Sequence, residues 1–218
     1  MFALLGILPG CATVLKMSPR KTESSVDTSR QSLLLASLTI ENRHHESFRP
    51  NPIVVWLQRN GGTQKADRLA YQFDNDAEVA ADLPARHYLI RIPIEPGRYE
   101  LVGIHGAAGV FPIHGAFFLP LYYDVEVKPG AVEYLGHIDA AVVERNDGEL
   151  RAGPLLPLID QAVSGFSGGT WAVTVSDASP HDVDEFRAAF PALSTAPIEN
   201  DLLPPWDKAR VTEHWQAN

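Results

Sequence analysis

Apolar residues fall on every second position in successive short stretches between residues 33 and 175, and the stretches end at Pro, Gly or Asn-Asp clusters. A period of two sets one face of a strand against a core and the other toward solvent. Tyr88, Ile90, Ile92 and Ile94 form one such stripe, with His87 and Arg91 opposite, and Pro93 predicts an edge or ending strand. Leu121, Tyr123, Val125 and Val127 form another, against Tyr122, Asp124, Glu126 and Lys128. Val132, Tyr134, Gly136 and Ile138 alternate with Glu133, Leu135, His137 and Asp139 in a strand expected to run to Glu144. Trp171, Val173 and Val175 close the series, Tyr99 and Leu101 continue an earlier one, and residues 33–40, 53–57 and 69–73 add three more apolar runs.

The punctuation between these runs is turn chemistry. Pro96-Gly97 and Pro129-Gly130 each suit the two central positions of a type II turn, where Pro presets φ and Gly accepts a positive one. Asn146-Asp147-Gly148 is a tight-turn signal. Together they predict a mainly β fold: an antiparallel β-sandwich of about seven to eight strands, with one short C-terminal helix and an irregular strap. The helix is expected over residues 179–190, where Ser179 can cap, Pro180 suits the first turn, Val183, Phe186 and Phe190 share a face, and Pro191 stops it. Beyond it, Ile198, Leu202, Leu203 and Trp206 are expected to cover an edge or end of the sandwich.

At 218 residues and 45% hydrophobic, the chain is long enough for one core rather than two full domains. The expected division is a signal remnant at 1–11, a flexible tether at 12–32, a sandwich at 33–178, and the helix and strap at 179–218. A polar tether of that length reaches about 25 Å as a random coil. The net charge of −9 argues against nucleic acid as a partner and against docking on anionic headgroups by charge.

Cys11, the one cysteine, follows an apolar run ending at Leu8, with Pro9 and the small Gly10 between. This resembles the lipobox of bacterial lipoproteins, and the resemblance implies cleavage before Cys11, its acylation, and attachment to the membrane through that lipid. Ala12 after the cysteine is similar to lipoproteins sorted to the outer membrane, with the periplasmic face as the expected address. No Lys or Arg precedes the apolar run, so the start codon is expected upstream. No other segment approaches the roughly 20 apolar residues of a spanning helix. The phrases Pro96-Gly97-Arg98-Tyr99, Val125 to Gly130 and Tyr134-Leu135-Gly136 resemble uncharacterised bacterial lipoproteins with a transthyretin-like or immunoglobulin-like β-sandwich. That resemblance implies a fold and a location and carries no catalytic residues.

A binding or scaffolding module without catalysis or cofactor is therefore the expected function, with an envelope protein as partner. The stretch 103–119 reads as a long apolar loop or as a buried strand interrupted by Pro112, and on the loop reading His105, Phe111, His114, Phe117 and Phe118 are its candidate contact residues. The alternative reading is a metal-binding protein or metal-dependent hydrolase using His105, His114, His137 and Asp139, since His137 and Asp139 project from one strand face. His44-His45-Glu46 is a further cluster, but there is no Cys pair, His-x₃-His or dense acidic loop. Gly165-Phe166-Ser167-Gly168-Gly169 superficially resembles the nucleophile segment of chymotrypsin-like proteases, with Phe166 where those carry an acid, and is read as a linker. Trp56 and Trp171 are expected in the core, while Trp206 and Trp215 are candidates for outside contacts.

Overall fold

Pairing of the alternating segments gives two sheets and a helix layer, in a computed structural model that describes residues 13–80, 85–110, 113–154 and 165–217. The strands are β1 (Thr13–Lys16), β2 (Ser32–Asn42), β3 (Asn51–Arg59), β4 (Arg68–Gln72), β5 (Glu78–Ala80), β6 (Arg86–Ile94), β7 (Gly97–Val110), β8 (Ile113–Val127), β9 (Val132–Glu144), β10 (Gly169–Ser176) and β11 (Glu199–Asn200). Two helices follow the large strands, α1 (Ser179–Ala189) and α2 (Lys208–Ala217). The first sheet runs β1-β4-β3-β7-β8 and the second β10-β9-β2-β6-β5, with β11 added beside β9.

The main core lies between the sheets. Leu34, Ala36, Leu38 and Ile40 of β2 and the Tyr88 to Ile94 stripe of β6 face Tyr99, Leu101 and Ile104 of β7 and the odd-numbered residues from Leu119 to Val127 of β8. A second, smaller core forms on the far side of the second sheet. There Leu33, Leu35, Leu89, Val132 and Tyr134 meet Phe186 of α1 and Phe190 and Leu193 just beyond it. Strand β2 is thus covered on both faces, which explains why residues 33–40 read as a nearly continuous apolar run rather than an alternating one.

Burial under α1 also changes the surroundings of Arg91. Placed by periodicity on the face away from the core, it is fully buried there, with its guanidinium 2.8 Å from both Asp74 carboxylate oxygens and 4.1 Å over the Phe190 ring. Burial draws its pKa down and Asp74 pushes it back up.

The sandwich expectation holds at the level of class, and the details differ in four ways. Eleven strands form among the described residues rather than seven or eight; β1, β5 and β11 have four residues or fewer, too short to show a period. The sheets are mixed rather than antiparallel: β2 pairs in parallel with β9, β1 with β4, and β11 with β9. The segment 12–32 was expected as a solvated tether, yet Thr13–Lys16 adds a strand to the first sheet and Met17 is buried in the core. The stretch 103–119 is no loop, because β7 and β8 stay paired out to Val110 and Ile113 as one long hairpin.

At the C-terminus, β11 and the backbone of Asp201 and Leu203 extend the start of β9, as the strap was expected to do, with Leu203 buried and Leu202 exposed. Helix α2 was not foreseen. It seats Val211 in the core against β8, and Arg210 binds Asp124 and Glu100 at 2.8 and 3.2 Å.

Candidate functional site

Two places on the surface combine exposure with side chains able to do chemistry, one on the outer face of each sheet. On the first sheet, strand alternation puts Val55 and Leu57 inward and turns Trp56 outward, so Trp56 is not the core residue expected. Its ring stands edge-on to His105 on β7 at 5.9 Å, and His105 stacks on Phe118 of β8 at 4.5 Å. Phe118 lies 6.4 Å from Tyr122, which stacks on His214 of α2 at 4.3 Å. Five rings therefore cross the sheet from β3 to α2.

Tyr122 owes its place to an irregularity. The β7–β8 register shifts between Leu101 and Gly103, and Tyr122 takes φ 51°, a left-handed conformation uncommon for an aromatic residue. The ring row ends at an apolar pocket of about 400 Å³ lined by His105, Phe117, Phe118, Tyr122, Leu150 and Val211 among others. Burial among these rings lowers the His105 pKa, which favours the neutral imidazole.

Adjacent phenylalanines divide between the two sides. Phe117 is fully buried against Phe166 and Trp171, at 5.2 and 5.6 Å, and forms the pocket floor. Phe118 is half-buried on the outer face. Trp171 is core, as expected, and its indole N–H donates to the Phe118 carbonyl at 2.7 Å. Trp206 is half-buried, donating to the Pro120 carbonyl at 3.0 Å. Cys11 and Phe111 lie outside the described residues, as do the side chains of His114 and Trp215.

The second place is on the outer face of the other sheet, under the start of α1. Neighbouring strands align Ser37 of β2 with His137 of β9, and Thr39 of β2 with His87 of β6. The two imidazoles stack at 5.6 Å. Helix α1 lays Asp182 and Glu185, three apart and so on one side of the helix, over this row. The Thr39 hydroxyl lies 3.1 Å from His87 Nδ1, and His87 Nε2 lies 2.9 Å from Glu185. Asp182 Oδ2 accepts from the Ser37 hydroxyl and, at 2.5 Å, from the Tyr134 hydroxyl, with His137 Nδ1 at 3.4 Å. Its Oδ1 faces His181 Nδ1 at 3.2 Å. Burial acts to raise the Asp182 pKa, but hydrogen bonds from His137, Ser37, Tyr134 and His181 outweigh it and hold the carboxyl well below the ordinary range. An open cleft of about 450 Å³ lies beside Thr39, Arg86, His87, His137, His181, Asp182 and Glu185.

A strand irregularity builds this site too. In the β2–β9 pairing, Leu35 meets Tyr134 and Ser37 meets His137, so β9 carries one extra residue across the shift. Gly136 sits there at φ 114°, and the phase of β9 switches: Tyr134 and His137 share the outer face, while Leu135 and Ile138 turn inward. The expected stripe of Val132, Tyr134, Gly136 and Ile138 is therefore split between the two faces of the sheet.

The alternative set His105, His114, His137 and Asp139 is not brought together, because His105 is on the first sheet, His137 is on the second, and the core lies between them. Asp139 follows His137 on β9 but does not line the cleft. Instead His181, Asp182 and Glu185 present ligand atoms within 4.8 Å of one another, with His87 and His137 alongside. Nor do the serines point to nucleophilic catalysis. Ser37 and Ser167 are buried away from solvent, and the Ser37 hydroxyl, although its oxygen lies 2.8 Å from His137 Nδ1, donates its proton to Asp182. The chain matches no family model, no curated protein and no solved structure.

Proposed function

We propose that the protein is a lipid-anchored β-sandwich of the bacterial envelope that binds a partner protein without catalysis. The row of five rings leading to the 400 Å³ pocket carries this reading. Aromatic side chains offer large contact area at low entropic cost, and a concave apolar site beside them suits an anchoring side chain of the partner. His105, Phe117 and Phe118, singled out in the sequence, all line that pocket. The anchor rests on the lipobox-like segment ending at Cys11, which would hold the domain at the periplasmic face of the outer membrane. Among the described residues no helix is long and apolar enough to cross a membrane.

Filling the pocket tests the binding surface. Ala116 is exposed and lines it, so Ala116→Trp adds bulk without entering the core. The dye 1-anilinonaphthalene-8-sulfonate is expected to bind the wild type with saturating fluorescence and the variant at least about tenfold more weakly, with an unchanged melting temperature. Equal binding by the variant would remove the pocket from the proposal. For the anchor, the intact mass of the N-terminal peptide from membrane-fraction protein is expected to show an acylated Cys11. Cys11→Ser is expected to lose both the modification and the membrane attachment, and an unmodified wild-type Cys11 would end the envelope assignment.

A further inference from the structure

We propose that the cleft between α1 and the second sheet is a binding site for one divalent cation of the zinc type, held by His181, Asp182 and Glu185, with His87 beside Glu185. These residues play no part in the pocket on the opposite sheet, so the inference stands apart from partner binding. One imidazole and two carboxylates are donors that borderline cations accept, and three protein ligands with the fourth position open suffice for a tetrahedral site. Donor spacing suits the task. Glu185 stands 2.9 Å from His87 Nε2, Asp182 Oδ1 stands 3.2 Å from His181 Nδ1, and the His181, Asp182 and Glu185 donors lie within 4.8 Å of one another.

The surrounding groups orient these donors as outer partners do in metal sites. Thr39 engages His87 Nδ1, which sets Nε2 against Glu185 and fixes that carboxylate. Ser37 and Tyr134 occupy Asp182 Oδ2, which leaves Oδ1 toward His181. The cleft is open to solvent and His181 is exposed, so an ion has a path in. Arg86, the guanidinium in the lining, is drawn aside by the Tyr88 hydroxyl at 3.4 Å and by Glu78 at 3.8 Å. His137 backs the site by stacking on His87.

Titration calorimetry with zinc chloride on the full, tag-free protein tests the site. The wild type is expected to bind one equivalent, and His181→Gln and Glu185→Gln each to weaken binding at least about tenfold. Neither side chain belongs to a core cluster, so both variants should keep the metal-free melting temperature, and if one fails to fold the other decides. His105→Gln, on the other sheet, is expected to bind as the wild type does. The proposal is overturned if the wild type shows no saturable binding, if the folded variants bind zinc unchanged, or if His105→Gln abolishes binding.

Discussion

Asp182→Ala is expected to destabilise the fold by about 3–5 kcal/mol, because it removes a buried carboxylate and strands the groups that bond to it. Asp182 is 1% exposed and accepts from Ser37 and Tyr134, with His137 and His181 beside it. Without it, the Tyr134 hydroxyl loses its acceptor at the seam between the helix and the second sheet, and Ser37 keeps only His137 Nδ1, 2.8 Å away. The effect should depend on pH with a definite sign. A carboxyl whose folded pKa lies below its unfolded value of about 3.9 contributes stability that is fully present above that value and is lost as pH falls through the folded pKa. Urea denaturation of wild type and Asp182→Ala should therefore show the full gap at pH 7 and a narrower one at pH 3. An equal gap at both pH values would mean that the carboxylate charge is not what the network stabilises.

Phe117→Ala is expected to cost about 3–5 kcal/mol, and Phe118→Ala, one residue on, under about 1 kcal/mol. Phe117 fills the space between Phe166, Trp171 and the inner strands, so truncation leaves a cavity in a packed core. Phe118 presents its ring to His105 on the outer face and holds its strand through backbone bonds, its N–H to Ala152 at 3.1 Å and its carbonyl to Trp171 at 2.7 Å. Those bonds survive the substitution. Denaturant midpoints for the two variants check this directly, and similar losses at both positions would place both rings in the core.

The strands that alternate cleanly were legible, and so was the docking of the helix through Phe186 and Phe190. Period two survives along β6 and the second half of β8 because those strands have one face on the main core. It fails in β9, where the extra residue at Gly136 reverses the faces, and a one-residue shift leaves no mark in composition. That failure hid the cleft. His87 was placed correctly away from the main core, but its meeting with His137 requires β6 and β9 to flank β2 at matched register, which no local pattern encodes. On α1, Asp182 and Glu185 stand three apart beside His181, and that spacing was the available signal. The ring row was half visible: Phe117, Phe118 and His105 stood out, while Trp56 was assigned inward, and Tyr122 and His214 came into place through a strained backbone and an unforeseen helix.

The parallel pairing of β2 with β9 bears on the order of events when the chain folds. Sheet neighbours at Leu33 and Val132 are separated by about 90 residues after β2 ends, and their contact closes a loop that carries a whole hairpin and most of the first sheet. Such distant pairings are slow to form, and β2 must wait with one edge open until β9 has been supplied. The first sheet, by contrast, pairs β3 with β4 and β7 with β8, each with its neighbour in sequence. Refolding is therefore expected to order the β7–β8 hairpin first and to complete the second sheet, with α1 and its histidine cleft, last.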